Sequence, residues 1–284
     1  MNKERAAFNS SFIIPHSSLM AMRYGQREIE SFARQVIEDG FCVLPGHFAR
    51  EKMEAWREAF APLLARHIER EGKLQNRGPA RYYVTLPFVE PFADPEIYED
   101  DDVLAVVRKL VGDDAQLHQL ATDTPLRGSE YQDVHRDAPP LFPETGQETP
   151  PFQLAVNFPL VDVTLENGPF DTTRGTHMMS KEVGLRLIES GEVKIEPLLM
   201  KAGDVMIRDV RVLHRGTPNR TDTPRPMVVL GYSRRWLLRP EVSIRIPSAT
   251  YEKLSERARH LLRFNPVVES VDDEGTEVYQ SFAY

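Results

Sequence analysis

The chain has 284 residues, 41% hydrophobic and 27% charged, with a formal net charge of −8. That is enough for a sizeable core, in one large soluble domain or two small ones. The acidic balance argues against a nucleic-acid or anionic-membrane surface. No apolar run is long enough to span a bilayer, and Met1-Asn2-Lys3-Glu4-Arg5 leads into no apolar segment of a secretory signal.

The N-terminal third reads mostly helical. Ile29, Phe32, Val36 and Ile37 recur at helical spacing, and Gly40 closes that segment. Phe41 to Leu44 reads as a short buried strand. It holds the lone cysteine, Cys42, which is expected to be a buried structural thiol and fits a reducing, cytoplasmic setting. A second helix is predicted from about Arg50 to Glu69, with Met53, Trp56, Phe60, Leu63, Leu64 and Ile68 on one face, and a shorter one from Asp102 to Val111. From about Gln116 the pattern changes to short β-prone runs: Gln116–Thr122, Phe152–Leu160, Lys194–Met200, Asp204–Ile207 and Pro226–Ser233. Turn residues separate them at Glu166-Asn167-Gly168-Pro169, Arg174-Gly175 and Ala202-Gly203-Asp204. Many short strands between Gly/Pro turns predict a sandwich or barrel rather than βαβ units. One helical insert is expected around Lys181 to Ser190 and a last helix from Ser248 to Leu262. The expected organisation is one domain over 1–284: a helical part over about 1–115, a β core over about 116–240, and a C-terminal helix and tail over 241–284.

The segment Tyr131-Gln132-Asp133-Val134-His135-Arg136-Asp137 carries a His-x-Asp pair. On a strand, residues two apart share a face, so one short segment can offer an imidazole and a carboxylate to one ion. Taken alone such a pair is more often a polar surface feature or a hydrogen-bonded pair. His214 follows much later, after a Gly203-Asp204 turn and Val210-Arg211-Val212-Leu213, read as a strand running into the site. Two imidazoles and one carboxylate on one face of a metal leave the opposite face open, which suits non-heme Fe(II) that must bind a co-substrate and O2 together. Arg225 lies eleven residues beyond His214. A 2-oxoacid that chelates iron at one end needs its far carboxylate held, and a guanidinium does that with two parallel hydrogen bonds.

These residues resemble the phytanoyl-CoA dioxygenase family of Fe(II)/2-oxoglutarate oxygenases. The resemblance spans roughly Gln116 to Arg235. It rests on His135-Arg136-Asp137, on Asn167-Gly168-Pro169-Phe170 followed by Arg174-Gly175-Thr176-His177, on Gly203-Asp204, and on His214-Arg215-Gly216 through Asn219-Arg220-Thr221 to Arg225. It implies a mainly β fold with flanking helices around a double-stranded β-helix, or jelly roll. It implies His135, Asp137 and His214 as catalytic iron ligands and Arg225 as the 2-oxoglutarate anchor. Asn157 stands where relatives line the co-substrate pocket, often with tryptophan. The family often has a lysine on the strand before His-x-Asp; Thr122-Asp123-Thr124-Pro125 has none here, and Thr124 is the candidate to replace it through its hydroxyl. Halogenating relatives lack the carboxylate that Asp137 supplies, so oxidation of a C–H bond, with release of succinate and CO2, is expected rather than halogenation.

The expected substrate is a small metabolite or natural-product intermediate, with no nucleic-acid or membrane partner, and the expected assembly is a monomer or homodimer. Candidate substrate contacts are Gln132, Tyr82, Asp171, Arg174 and Trp236. Two other classes stay open: a cupin-like isomerase or Zn(II) hydrolase using the same ligands, and a non-catalytic binding protein on the same fold.

Overall fold

The computed structural model describes residues 22–71 and 77–270. The opening segment read for a leader and the end of the C-terminal tail lie outside them. In chain order the elements are α1 (Gln26–Asp39), β1 (Phe41–Leu44), α2 (Arg50–Glu71), β2 (Arg81–Thr85), α3 (Pro95–Tyr98), α4 (Asp101–Val111), β3 (Gln116–Pro125), β4 (Gln153–Pro159) and β5 (Phe170–Thr172). They continue with α5 (Lys181–Ser190), β6 (Glu196–Leu198), β7 (Val205–Asp209), β8 (His214–Gly216), β9 (Met227–Ser233), β10 (Ile246–Pro247), α6 (Ser248–Tyr251), α7 (Glu256–Leu261) and β11 (Val267–Val268). No helix among them is long and apolar enough to cross a membrane.

The six-stranded sheet β1-β7-β4-β9-β3-β2 is antiparallel throughout and faces a three-stranded sheet, β6-β5-β8. Together they form the jelly-roll core. Alternation along each strand sorts its side chains between two environments. On β4, Leu154, Val156 and Phe158 join the main apolar core with Ile29 and Val36 of α1, Trp56 and Phe60 of α2, and Val103 and Val107 of α4. Gln153, Ala155 and Asn157 turn the other way and line a pocket between the sheets. The helices thus cover the outer face of the large sheet and leave its inner face for a ligand.

The pattern of elements differs from expectation at four places. Arg81-Tyr82-Tyr83-Val84-Thr85 forms strand β2, inside the stretch read as helical; almost all of it is buried, so no polar alternation marks it. The run predicted over Lys194–Met200 pairs only over Glu196–Leu198. Val210–Leu213 is a turn, not a strand. The Asp209 carboxylate accepts hydrogen bonds from the Arg211 amide and Nε, both at 2.9 Å, and holds the chain in that turn. The predicted Ser248–Leu262 helix is split into α6 and α7, because Ser255 caps the second piece by accepting from the Ala258 amide. Cys42 is buried on β1, and burial pushes its thiol up to about 12, as a structural cysteine requires.

Candidate metal and co-substrate site

Residues 132–137 run alongside β8 as its outer neighbour. The His135 and His214 backbones exchange hydrogen bonds of 2.9 and 3.1 Å, the Gln132 amide donates to the Gly216 carbonyl at 3.0 Å, and the Asp137 amide to Val210 at 2.9 Å. The pairing is an isolated bridge rather than the expected strand, yet the alternation holds. His135 and Asp137 face the pocket. Arg136 turns into the protein, bonded to Glu148 at 2.9 Å and to the Thr176 carbonyl at 2.7 Å. Glu148 also takes Arg211 at 3.0 Å, and Arg211 pairs with Asp209 at 2.7 Å. This buried ladder fixes the backbone between the two facing residues.

His135, Asp137 and His214 each offer one donor atom, and these lie within 4.8 Å of one another. Asp137 Oδ1 is 3.7 Å from His135 Nε2 and 3.6 Å from His214 Nε2. The other ring nitrogens are spoken for: His135 Nδ1 lies 2.7 Å from the Asp133 carbonyl and His214 Nδ1 2.9 Å from the Val212 carbonyl. A carbonyl only accepts, so each Nδ1 carries a proton and Nε2 is the nitrogen that each ring turns to the ion site. Phe170 stacks on the His214 ring at 4.8 Å and holds its orientation. Burial pushes His214 down to about 3, with the Asp137 charge opposing, so its ring is neutral at neutral pH. Burial acts to raise the Asp137 carboxyl, but the Arg208 charge and the two imidazoles outweigh it and hold the group well below the usual carboxylate range. Two imidazole nitrogens and an ionised oxygen on one face fit a ferrous ion with positions left for other ligands.

The pocket has a volume of about 850 Å³, its mouth included, within the range of small-molecule sites. Arg225 is 2% exposed, and its Nε donates to the Gly168 carbonyl at 3.0 Å. Burial lowers its pKa to about 10, so it stays charged at neutral pH. Asn219 sets its approach. The Asn219 amide nitrogen donates to the Pro125 and Thr223 carbonyls at 3.0 and 2.8 Å, and its oxygen accepts from the Thr221 amide at 2.8 Å. Asn157 also lines the pocket, donating to the Val228 carbonyl at 3.2 Å.

Of the other candidates, only Gln132 lines the pocket; its Oε1 accepts from the Gly216 amide at 2.9 Å. Thr124 does not. Alternation on β3 sends Asp123 to the pocket and buries Thr124 on the opposite side. Tyr82 likewise belongs to the main core, and its neighbour Tyr83 faces the ligand space. Asp171 is tied to Arg215 at 3.0 Å, outside the pocket lining. Arg174 is exposed, paired with Asp39 and lying 4.9 Å over the Phe41 ring. Trp236 is 55% exposed and meets Phe152 rather than the pocket. Sequence reading places Arg81-Tyr82-Tyr83 near the entrance but picks Tyr82 rather than Tyr83 as the contact, and it missed Gln119, Gln153, Arg239 and Arg208. Arg208 left a signal, a lone cation in the apolar run Val205-Met206-Ile207 of β7.

Fold and site define an oxygenase dependent on non-heme iron and 2-oxoglutarate. The phytanoyl-CoA dioxygenase family model matches residues 36–227, more than half of the chain, and the chain belongs to that family. The solved structures it resembles are distant and share the fold. EvdMO1 is 19% identical with a TM-score of 0.57 over 73% of this chain, which spans only 50% of EvdMO1. The epimerase SnoN from nogalamycin biosynthesis, in complex with Fe3+, alpha ketoglutarate and nogalamycin RO, is 20% identical with a TM-score of 0.57, over 73% of this chain and 84% of its own. HygX from Streptomyces hygroscopicus, with nickel, 2-oxoglutarate and hygromycin B bound, is 20% identical with a TM-score of 0.54, over 73% of this chain and 88% of its own.

Proposed function

We propose that this chain oxidises a C–H bond of a small polar metabolite, with hydroxylation as the outcome, and that His135, Asp137 and His214 hold the iron while Arg225 holds 2-oxoglutarate. The observation that carries this is the pairing of three converging donor atoms with a buried, charged guanidinium in one pocket. A Zn(II) hydrolase or a cupin-like isomerase has no need of that guanidinium.

When bound, iron and 2-oxoglutarate supply the oxidant: O2 is consumed, the oxoacid leaves as succinate and CO2, and one oxygen atom goes to the substrate. The chain's own residues do the rest. Asp133 and Val212 carbonyls hold both imidazoles in the metal-binding tautomer. Arg225 fixes the far carboxylate of the co-substrate, and Met206, Met227 and Phe170 keep water away from the space between. Tyr83, Gln119, Gln132 and Gln153 face the same pocket and can orient a substrate rich in hydroxyl or carbonyl groups. The structures of SnoN and HygX with a small molecule bound support a natural-product intermediate as substrate. SnoN is described as an epimerase and SnoK as a carbocyclase, so C–H oxidation on this fold has more than one outcome. We read the chain as one catalytic domain acting in the cytoplasm as a monomer or homodimer.

The test is succinate release by purified protein supplied with Fe(II), 2-oxoglutarate and O2, screened against candidate metabolites. Wild type should release succinate only with iron present, faster with substrate, and His135→Ala should release none. Equal turnover in the two proteins would sink the assignment.

A further inference from the structure

Arg208 is the only other charged side chain in direct contact with the candidate ligand set among the described residues, and its surroundings single it out. It projects from β7 next to the strand's last residue, Asp209, after the apolar and buried Val205, Met206 and Ile207. Its Nη2 donates to Asp137 Oδ2. The opposite carboxylate oxygen, Oδ1, is the one that lies near both imidazole Nε2 atoms. The two oxygens of Asp137 therefore have different occupants: one is turned to the ion site and the other is held by a guanidinium.

Arg208 is itself held from three sides. Its Nε donates to Asn157 Oδ1 at 3.3 Å, and its guanidinium lies 5.3 Å over the Phe170 ring, the ring that stacks on His214. Asn157 is in turn anchored on the Val228 carbonyl. The arrangement is not one that stability alone selects. Arg208 Nη1 is buried with no hydrogen-bond partner among the described residues, and an unsatisfied buried donor carries a desolvation cost. A fold that carries that cost beside a candidate metal ligand points to function.

We infer that Arg208 is a positioning residue that restricts Asp137 to one-oxygen coordination of the iron, and that Asn157 acts through Arg208. This rests on the iron and 2-oxoglutarate reading above. The count of positions explains why such a restriction matters. In an octahedral ion, two imidazoles and one carboxylate oxygen leave three positions. A 2-oxoacid chelate takes two and leaves one for O2. If the second carboxylate oxygen also bound, chelation would fill the shell and leave none. Occupying Oδ2 with a fixed guanidinium prevents this without removing the negative charge from the ligand.

The experiment compares wild type with Arg208→Met and Arg208→Lys under anaerobic conditions, at equal Fe(II) loading, by the visible absorption of the ferrous 2-oxoglutarate chelate. Wild type should show the band and saturate with 2-oxoglutarate. Arg208→Met should bind Fe(II) at the same stoichiometry, still chelate 2-oxoglutarate with the band shifted, and on admission of O2 lose that band at least tenfold more slowly than wild type. Arg208→Lys, which keeps one cationic donor, should recover part of both. A purely structural role would lower the unfolding temperature of Arg208→Met while leaving the band in place and its decay in O2 within twofold of wild type, and that result overturns the inference. A metal-loaded crystal structure of the wild type decides the case should neither variant fold: both Asp137 oxygens on the ion overturn it, and one on the ion with the other on Arg208 supports it. Absence of the band in iron-loaded wild type is a different failure, that of the functional reading itself.

Discussion

A guanidinium as deeply buried as that of Arg225 has lost its water and must find anions or carbonyls in exchange. Inside the protein it has the Gly168 carbonyl on Nε, and the rest of the group faces the pocket. A carboxylate arriving there meets a planar fork of N–H donors, which a lysine ammonium cannot reproduce. Arg225→Lys should therefore raise the dissociation constant of 2-oxoglutarate by roughly 10–100-fold, the equivalent of the ~1.5–3 kcal/mol that a charged hydrogen bond is worth. Iron stoichiometry and turnover at saturating 2-oxoglutarate should stay near wild type, because the candidate metal ligands are untouched. Titration of the iron-loaded variant under nitrogen measures the first quantity, and an unchanged affinity would remove Arg225 from the co-substrate site.

At the scale of an element, the turn at Asn167-Gly168-Pro169 does two jobs. Asn167 ties it down, donating to the Asp162 carbonyl and accepting from the Thr164 amide, each at 2.8 Å. Gly168 has a φ of 84°, and a Cβ there would sit 2.8 Å from the Thr217 carbonyl oxygen. Alanine at this position must both adopt a left-handed backbone and push that carbonyl away. Gly168→Ala should thus cost roughly 1–3 kcal/mol in urea unfolding. It should also weaken 2-oxoglutarate binding more than iron binding, since the Gly168 carbonyl orients Arg225. Equal losses for the two ligands would mean that the turn acts on stability alone. This turn was legible in the sequence because glycine and asparagine carry their conformational role in their chemistry. So were α1, α2, α4 and α5, where the apolar period follows one face, and β1, β3, β4, β7 and β9, which are β-prone runs set between turn residues. His135, Asp137 and His214, which the fold brings together as candidate ligands, were legible as a spaced set of rare groups. What stayed hidden depends on which way a strand faces: Tyr82 against Tyr83, or Thr124 against Asp123, differ by one residue and by the whole thickness of the sheet. Glu148, wedged between Arg136 and Arg211 from a distant loop, has no local signature at all.

For the molecule as a whole, two sheets with helices on one side make an interior large enough to bury histidines that never meet the candidate metal. His118 on β3 is 4% exposed, and neither ring nitrogen has a side-chain hydrogen-bond partner among the described residues. Burial, with the Arg239 charge adding to it, pushes its pKa down to about 3. His67 in α2 is 5% exposed, and burial together with Arg70 pushes it down to about 4. Unfolded, both groups titrate near ~6.5. The folded pKa values lie below the unfolded ones, so below that pH the unfolded chain binds more protons than the folded chain. Stability from these residues is complete above pH ~6.5 and drains away as pH falls toward the folded values. Metal-free protein should accordingly unfold at lower urea as pH goes from 7.5 to 5, with each fully differential proton contributing a slope of ~1.4 kcal/mol per pH unit. Metal-free protein is required because metal release adds its own proton dependence. In His118→Gln the curve of unfolding free energy against pH should be flatter by close to one such proton near pH 5, whatever the change in absolute stability. Curves for the two proteins that run parallel over this range would show that His118 binds its proton in the folded state as readily as in the unfolded one.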